Sequence, residues 1–467
     1  MKKLLILGLI FAYCTANAQV KPLKANLLGI WHDSTLVTSF YNVYSEVWGL
    51  AVKGKEYGVI GSTDGAHIID IDKKPYKELF KILGKSTGTD IIHRDYDEYK
   101  GYLYAVCDEG EASLQIIDTR NLPTSAKVVY DSDSLFSTCH NTFIDTLTGK
   151  LYAMGIIGTK KGKQPFAVYD IKTNPTVPKL LWDKGIIGNI KISYVHDGYM
   201  VRDTAYLNCG NQGLVIASFK DPANPVLLGT MNGYKNAGYN HSSYLTEDSK
   251  YLVLADETHG SPMKMVNVKK MDDIFVESEF SAESAPTQIP HNPIVRGKYA
   301  YTGYYYDGLT VHDISNPKAP KLVMHYDECK TPDAKGFSGA WGVYPLLPSK
   351  RILLADMQLG LFVFDGIEKT LLTADKNVVH AQLNISISPQ PADDILKLAF
   401  NNDLGASTID IRLFDMQGKV LRSFDNEAIV NGNQSLILDI QGITNGIYVL
   451  SLNINGTIQS LKVVIAH

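Results

Sequence analysis

Seven short segments of the chain share one pattern of apolar residues that ends in an acidic or small polar residue. They are AHIIDI (66–71), LQIIDT (114–119), FAVYDI (166–171), LVIASF (214–219), MKMVNV (263–268), LTVHDI (309–314) and LFVFDG (361–366). Equivalent positions lie 46 to 52 residues apart, and a second strand-like run closed by glycine usually precedes each segment. Proline-rich connectors, such as 221–225 and 315–320, lead to a further apolar run. The pattern predicts about four short strands per repeat.

Four-stranded units with a period of about 40 to 50 residues are typical of β-propellers. Seven repeats therefore predict an all-β, seven-bladed β-propeller. The seventh repeat ends near Gly366 without a fourth strand, whereas NLLGIW (26–31) resembles VLLGTM (226–231) of the fourth repeat. We expect this N-terminal strand to complete the seventh blade, which closes the ring and leaves no open edge. The alternative is an open β-solenoid, but that fold needs polar capping repeats, which the sequence lacks.

The seven segments are the third strands of their repeats, and most of them carry an aspartate near the end. These aspartates have a simple structural interpretation. An aspartate at the end of a strand accepts hydrogen bonds from the backbone of the following turn. Asp70, Asp118, Asp170, Asp313 and Asp365 stand at this position, and we expect them to shape turns.

The chain after the seventh repeat no longer follows the period. Residues 367–382 carry no strand pattern and are interpreted as a linker. Residues 383–467 contain alternating strand-like runs at 395–400, 409–415, 435–440, 447–454 and 461–467. About 85 residues of this kind predict a small C-terminal β-sandwich.

The N-terminus has the organisation of a secretory signal peptide. Two lysines follow Met1, residues 4–13 are apolar, and Ala16-Asn17-Ala18 is a small-x-small cleavage site. Residues 1–18 are thus predicted to be removed, and the propeller to occupy 19–366. A lipoprotein anchored at Cys14 is disfavoured because Tyr13, which is not small, precedes the cysteine. No later run reaches the roughly 18 apolar residues of a membrane-spanning helix.

Composition and charge exclude several classes of partner. Hydrophobic residues make up 45% and charged residues 20% of the chain, so it is not of the disordered type. The net charge of -4 gives no reason to expect nucleic acid or an anionic membrane surface. Cys107, Cys139, Cys209 and Cys329 are too few for a disulfide scaffold, although an exported protein could form one or two bridges.

The C-terminal region resembles the sorting domain of the Bacteroidota type IX secretion system. The matching motifs are PQPA (389–392), FDMQGKVL (414–421), GIYVLSL (446–452) and LKVVI (461–465). The resemblance implies recognition of residues 383–467 by the type IX machinery and transport across the outer membrane. It also implies that this domain is usually removed, with the remainder released or anchored to lipopolysaccharide.

The repeats resemble the LVIVD-repeat proteins of the choice-of-anchor B family. The motifs are HNTFID (140–145), NHSSYLTEDSKYLVLADE (240–257), HNPIVRGKYAYTGYYYDGLTVHDIS (291–315) and FSGAWGVYPLLPSKRILLADMQLGLFVFD (337–365). The resemblance implies a propeller in a secreted or cell-surface setting. It brings no catalytic residues with it.

Five histidines recur at one position of the repeat, near the start of the first strand. They are His93, His140, His196, His241 and His291, with Trp48 and Trp341 in the other two repeats. First strands line the channel of a propeller, so we expect these side chains to converge at one channel mouth. The second strands should bring acids to the same face: Asp64, Asp108, Glu109, Glu257 and Asp307, beside Gln212 and His259.

Histidines rimmed by acids could hold a divalent metal ion or a polar ligand. The structural interpretation is that repeat duplication copied a histidine that hydrogen-bonds the neighbouring blade. Five blades also spread their side chains too widely for one ion to reach them all, which leaves coordination by two or three histidines.

Three functional hypotheses follow from the sequence. The first is a secreted or cell-surface module that binds a protein or glycan without catalysis, since no GxSxG, HExxH or phosphate-binding glycine loop is visible. The second is a metal-assisted hydrolase or lyase that uses the histidines, and the third is a structural or adhesive scaffold. Exposed tyrosines at 304–306 could in addition stack on a sugar.

Overall fold

The structure is a computed structural model that describes residues 22–158, 162–282, 289–327, 337–371, 385–402, 407–429, 432–454 and 457–467. The predicted signal peptide, most of the predicted linker and Cys329 lie outside the described residues. The chain divides into two compact units, Met1–Thr370 and Leu371–His467.

Strands dominate the first unit, as the period-2 and turn signals of the repeats predict. They begin with β1 (Leu23–Lys24), β2 (Leu27–Trp31), β3 (Tyr44–Val52), β4 (Lys55–Ser62), β5 (Gly65–Asp70), β6 (Lys77–Leu83), β7 (Arg94–Tyr99), β8 (Tyr102–Cys107), β9 (Leu114–Asp118) and β10 (Lys127–Ser132). They continue with β11 (Asn141–Asp145), β12 (Lys150–Gly158), β13 (Gly162–Asp170), β14 (Lys179–Trp182), β15 (Ile186–Ile187), β16 (Ile190–Lys191), β17 (Asp197–Val201), β18 (Thr204–Asn208), β19 (Leu214–Ser218) and β20 (Val226–Met231). The last are β21 (Asn240–Leu245), β22 (Tyr251–Asp256), β23 (Met263–Asn267), β24 (Phe275–Phe280), β25 (Pro293–Arg296), β26 (Tyr299–Gly303), β27 (Leu309–Asp313), β28 (Lys321–Tyr326), β29 (Ala340–Tyr344), β30 (Ile352–Asp356) and β31 (Gly360–Phe364).

The all-β class is confirmed, and each repeat forms its own antiparallel sheet. In the described residues of this unit the sheets are β3–β6, β7–β10, β11–β14, β17–β20, β21–β24, β25–β28 and β29–β31, besides the hairpin β15–β16. The third strand of each sheet is largely buried, which explains its continuous apolar pattern.

The N-terminal strand β2 is the fourth strand of the last sheet. It pairs antiparallel with β31, with Leu27 opposite Phe364 and Trp31 opposite Leu361. Just before it, β1 adds a parallel fifth strand to the sixth sheet, which the sequence did not predict. The same short segment therefore covers the edges of two sheets.

The first strands of the seven sheets contact one another in cyclic order. The pairs are β3 with β7, β7 with β11, β11 with β17, β17 with β21, β21 with β25, β25 with β29 and β29 with β3. Apolar side chains fill the space between neighbouring sheets. Between the first and the last sheet, for example, Val47 and Ile60 share a cluster with Leu353, Leu361 and Val363. The first strands thereby enclose the central space in which the candidate site lies.

Four of the five aspartates that end third-strand segments shape turns, as expected, whereas Asp365 accepts a hydrogen bond of 2.6 Å from the Asn26 side chain and pairs with Lys369. Asp70, Asp118, Asp170 and Asp313 each accept a hydrogen bond of 2.9 to 3.1 Å from the backbone N–H two residues later. Local turn chemistry accounts for this recurrence without a ligand.

The predicted linker begins with ordered structure. Residues 367–371 form a helical turn, and Ile367 belongs to the same buried cluster as Phe362 and Phe364. In the described part of the chain, no helix has the length and apolar character needed to cross a membrane.

The second unit contains seven described strands, where the sequence predicted five. They are β32 (Ser386–Ser388), β33 (Ile395–Asn402), β34 (Ser407–Phe414), β35 (Val420–Ile429), β36 (Gly432–Asp439), β37 (Gly446–Ile454) and β38 (Thr457–Ile465). They form two sheets, β32-β33-β36 and β35-β34-β37-β38, around one shared core. The sequence missed β32, which has only three residues, and β35, whose run VLRSFDNEAI has no regular alternation of apolar and polar residues.

Candidate functional site

Six aromatic side chains form a closed cycle of contacts inside the first strands. The ring centroids are separated by 5.6 Å (His93–His140), 4.2 Å (His140–His196), 4.0 Å (His196–His241), 4.5 Å (His241–His291), 4.5 Å (His291–Trp341) and 5.1 Å (Trp341–His93). We call these six residues the histidine ring. They line a cavity of about 20 Å³ together with Glu46, Arg94, Asp95, Asn141 and Asn292. That volume suits a single ion or water molecule.

The backbone explains why these side chains converge. The first strands β21 and β29 carry an irregularity at His241 and Trp341, and such a bulge re-aims the side chain within a strand. The first sheet has the same irregularity after Tyr44, at Ser45 and Glu46. The first sheet therefore contributes no aromatic ring to the cycle, and Glu46 lines the cavity in its place.

The prediction that Trp48 belongs to this set is wrong. Trp48 lies farther along β3, opposite Val59, and its ring packs against Tyr344 at 4.8 Å. The expectation for Trp48 came from counting a similar number of residues back from the turn glycine of each repeat. Because β3 has nine residues, this count ends at Trp48 and not at the residue equivalent to the histidines.

Three of the predicted acids contact the histidine ring. Asp108 Oδ2 lies 2.8 Å from Nδ1 of His140, and Glu109 hydrogen-bonds Nδ1 of His93. Glu257 is shared, with Oε2 at 3.6 Å from Nε2 of His241 and Oε1 at 3.8 Å from Nε2 of His291. In His93 and His140 the nitrogen left for another partner is therefore Nε2.

Asp64 and Asp307 lie elsewhere. Asp64 forms an ion pair of 3.3 Å with Lys81 on β6, and the carbonyl oxygen of Asp307 accepts a hydrogen bond of 2.7 Å from His325 on β28. Both contacts lead to the fourth strand of the sheet, away from the first strands. The spacing to the turn glycine locates these residues along the chain but does not fix the direction of the side chain.

Two tyrosines of the 304–306 cluster are not exposed, contrary to the sequence interpretation. Tyr304 is fully buried and Tyr305 is 1% exposed. The Tyr305 hydroxyl donates a hydrogen bond of 2.5 Å to Oε1 of Glu257. Tyr305 thus supports the histidine ring and is not positioned to stack on a sugar at the surface.

Burial keeps most of the histidine ring uncharged. It lowers the pKa of His291 to about 3 and holds the pKa values of His196 and His241 well below the ordinary range, assisted by the neighbouring histidines. Burial also acts to lower the pKa of His93, but the hydrogen bond and charge of Glu109 outweigh it, so this pKa is raised. Burial raises the pKa of Glu257.

A second and larger cavity of about 420 Å³ lies between the same first strands. We call it the acidic cavity. Its wall includes the acids Glu46, Asp95, Asp97, Glu98, Asp145 and Asp197 and the aromatic residues Trp48, Tyr96, Phe143, Tyr199, Tyr244 and Tyr344. No lysine or arginine among the described residues lines it. Glu46, Asp95, Asn141 and Asn292 border both cavities.

Carboxyl groups in the acidic cavity resist ionisation. Burial raises the pKa of Glu46 and of Asp197 to about 8 and that of Asp95 to about 6. Burial and the neighbouring Asp95 hold the pKa of Asp97 well above its ordinary range. Asp97 is 5% exposed, and its Oδ2 and the Trp48 indole N–H have no hydrogen-bond partner in the described part of the chain.

The sequence analysis missed the acidic cavity although the signal was present. His93, Asp95 and Asp97 alternate on one strand, and residues two apart share a face of a strand. Asp197 directly follows His196.

Comparisons with known proteins identify two parts of the chain. The family model of the secretion system C-terminal sorting domain matches residues 386–466, and that of the LVIVD repeat matches residues 293–328. The chain carries an LVIVD repeat and a secretion sorting domain. The sorting domain indicates secretion to the cell surface or outer membrane. A search of curated protein sequences gives no match.

Solved structures with the same kind of fold share little sequence with this chain. The WD40 repeats of RRP9 align with a TM-score of 0.51 at 10% identity, over 73% of this chain and 99% of RRP9. PorZ, an essential surface component of the type IX secretion system of Porphyromonas gingivalis, aligns with a TM-score of 0.32 at 10% identity, over 88% of this chain. The chain spans 50% of the length of PorZ. The periplasmic gluconolactonase of Pseudomonas aeruginosa aligns with a TM-score of 0.47 at 8% identity, over 85% of this chain and 99% of the enzyme. The RRP9 alignment supports a propeller-like fold and nothing about activity.

The cysteines behave as isolated buried thiols. Cys107, Cys139 and Cys209 are free and buried. The disulfide bridges that an exported protein could form are absent among these three residues.

Proposed function

We propose that the protein is a seven-bladed β-propeller, closed by β2, that acts at the cell surface or after release as a non-enzymatic binding module. Its ligand is a protein or glycan group that carries a primary amine. The observation that carries the proposal is the acidic cavity, in which the buried Asp97 has an unpartnered carboxyl oxygen.

Three features support the propeller part of the proposal. Six four-stranded sheets and one five-stranded sheet make up the repeats in the described chain, and their first strands contact one another in a complete cycle. The LVIVD match lies in the sixth sheet, and the sorting domain directs the chain to the cell exterior. Propeller channels in this setting commonly receive ligands at the central axis.

The chemistry of the acidic cavity supports the choice of an amine. Burial raises the pKa values of several carboxyl groups here, and the neighbouring Asp95 raises them further because ionisation would place like charges close together. An ammonium group would pair with these carboxylates and satisfy the free oxygen of Asp97. Trp48 and Tyr344 add aromatic faces, which attract cations and pack against sugar rings. The volume lies in the range of small-molecule sites.

The test is isothermal titration calorimetry of the full chain with glucosamine, chitosan oligomers and lysine-containing peptides, against glucose and N-acetylglucosamine. We expect the amines to bind and their neutral analogues to bind at least about tenfold more weakly, since each loses an ion-paired hydrogen bond. Asp97→Asn should weaken amine binding about tenfold or more.

Asp272→Asn is the matched control, because Asp272 is exposed and outside the cavity. It should leave binding unchanged. Failure of every amine to bind at millimolar concentration, or equal binding of glucose and glucosamine, would overturn the proposal and favour a scaffold role.

A further inference from the structure

One part of the histidine ring differs from the rest. His196, His241 and Glu257 each offer a ligand atom, and the three atoms lie within 4.8 Å of one another. The residues come from two neighbouring sheets: His196 precedes β17, His241 lies in β21, and Glu257 follows β22. Two imidazoles and one carboxylate form a donor set found in zinc sites that keep one open position.

We propose that His196, His241 and Glu257 bind one Zn²⁺ ion at the histidine ring. With bonds of about 2.0 to 2.2 Å, the ligand atoms of a tetrahedral zinc site lie about 3.4 Å apart. The separation of 3.6 Å between His241 Nε2 and Glu257 Oε2 is already close to this value. Three protein ligands leave the fourth position to water or to a group brought by a partner. The proposal uses none of the acids that line the acidic cavity, and it stands or falls independently of amine binding.

The state of the donor atoms supports metal binding. Zinc binds an imidazole nitrogen that has a free lone pair. The buried Nδ1 of His196 has no hydrogen-bond partner in the described part of the chain. An orphaned buried nitrogen costs stability, and a metal bond would remove that cost.

Outer contacts fix which oxygen of Glu257 is the ligand. The buried Tyr305 hydroxyl donates to Oε1, so Oε2 remains for the metal and already faces His241 Nε2. Partners of this kind orient the ligands of metal sites, and their loss weakens binding about 10- to 100-fold. Tyr305 is therefore a positioning residue for the site.

The other side of the histidine ring supplies the internal control. Neither His93 nor His140 belongs to the group of three donors found in the described part of the chain. Only two of the five histidines therefore reach the ion. This arrangement avoids the geometric objection that five blades cannot coordinate one metal.

The test uses the full chain, purified and loaded with Zn²⁺, then dialysed and measured by elemental analysis and by competition with a chromophoric chelator. We expect one Zn²⁺ per chain and a rise in the thermal midpoint with added zinc. Co²⁺ in its place should give the intense visible bands of a tetrahedral site. Glu257→Gln and His196→Gln should each lower zinc affinity about 100-fold or more, and Tyr305→Phe about tenfold with the stoichiometry unchanged.

His93→Gln is the matched control, since it alters the same ring without removing a ligand. It should keep one Zn²⁺ per chain at unchanged affinity. No zinc uptake by the folded wild-type chain at micromolar free metal would overturn the proposal. Equal loss in the His93 and His196 variants would also contradict it, because the ring would then act as a whole. If the His196 variant fails to fold, the Glu257 and Tyr305 variants, checked by near-ultraviolet circular dichroism, decide the question.

Discussion

The histidine ring and the acidic cavity lie side by side between the same first strands, yet they are built in opposite ways. In the histidine ring, aromatic rings contact one another around a space of about 20 Å³, whereas the acidic cavity encloses about 420 Å³. Burial suppresses ionisation in both regions. The difference lies in the partners that each region gives to its titratable groups.

The two regions differ in the partners of particular groups: His93, His140 and His291 each have a hydrogen-bond partner, whereas Oδ2 of Asp97 has none in the described part of the chain. Asp108 and Glu109 hydrogen-bond two imidazoles, and the Trp341 carbonyl accepts a hydrogen bond of 2.7 Å from Nδ1 of His291. In the acidic cavity the Asp97 oxygen has no partner in the described chain and no lysine or arginine lies nearby. A region with internal partners holds a fixed geometry, and a region without them gains most from a ligand of opposite charge.

A direct comparison of the two regions makes the same substitution in each of them. Trp341 contacts the rings of His93, His291 and Tyr305, whereas Trp48 contacts the ring of Tyr344, packs against a hydrophobic cluster and forms part of the cavity wall. Trp341→Ala should lower the free energy of unfolding by about 3 kcal/mol, because it leaves a hole in packed surroundings. Trp48→Ala should cost less than about 1 kcal/mol, because the space beside it is already empty.

Denaturant unfolding followed by tryptophan fluorescence measures both values. The sequence has 4 tryptophans, and all of them (Trp31, Trp48, Trp182 and Trp341) precede the second unit, so the signal reports on the first unit alone. Equal losses in the two variants would contradict the view that the ring is packed and the cavity is not.

Asp97→Asn should raise stability while it weakens amine binding. The native carboxyl stays protonated well above the pKa of about 3.9 that it has in the unfolded chain. Above pH 4 the native state therefore binds more protons than the unfolded state, and stability falls as the pH rises. Asparagine removes this loss, so the variant should be more stable by about 1 to 3 kcal/mol at pH 8 and nearly equal near pH 4.

A second buried aspartate provides the control for Asp97. Asp256 pairs with Lys264 at 2.9 Å, and both side chains are fully buried. Asp256→Asn leaves the lysine charge unpaired and should cost about 3 to 5 kcal/mol. Denaturant unfolding at pH 4 and pH 8 measures both variants. A loss of stability in Asp97→Asn at pH 8 would mean that its carboxyl has a partner after all.

The fold was easier to predict from the sequence than the site, for a physical reason. Strand periodicity and turn glycines are local signals that recur in every repeat, so the sheets and the role of β2 could be predicted. The short β1 makes its pairing only with β28, far along the chain, and it has no local pattern. Long-range pairing of this kind cannot be read from a segment of two residues.

The sequence predicted site residues correctly where their position along a strand determines whether they reach the site. It failed where the direction of the side chain determines this. The recurrence of histidines placed five residues of the ring, but a bulge and a longer β3 displaced Trp48 from it. Asp64 was expected at the ring, whereas its partner Lys81 lies on the fourth strand. Recognition of Tyr305 and Asp97 required knowledge of burial, because the sequence shows neither an unpartnered oxygen nor a supporting hydroxyl.

The smallest expected effect concerns His93, the member of the ring whose pKa is raised. Glu109 causes this shift, so Glu109→Gln should bring the pKa of His93 below its wild-type value, as measured by NMR titration. A raised histidine pKa stabilises the native state fully below the unfolded value of about 6.5 and loses that contribution as the pH rises through the folded value. The variant should therefore be less stable at pH 5 and equal to wild type at pH 9. The loss should stay under about 1 kcal/mol because both side chains are partly exposed.

The exposed Glu111 allows the control Glu111→Gln, which should change neither the pKa of His93 nor the free energy of unfolding. An equal loss of stability in Glu109→Gln at both pH values would show that Glu109 acts by packing and not by charge.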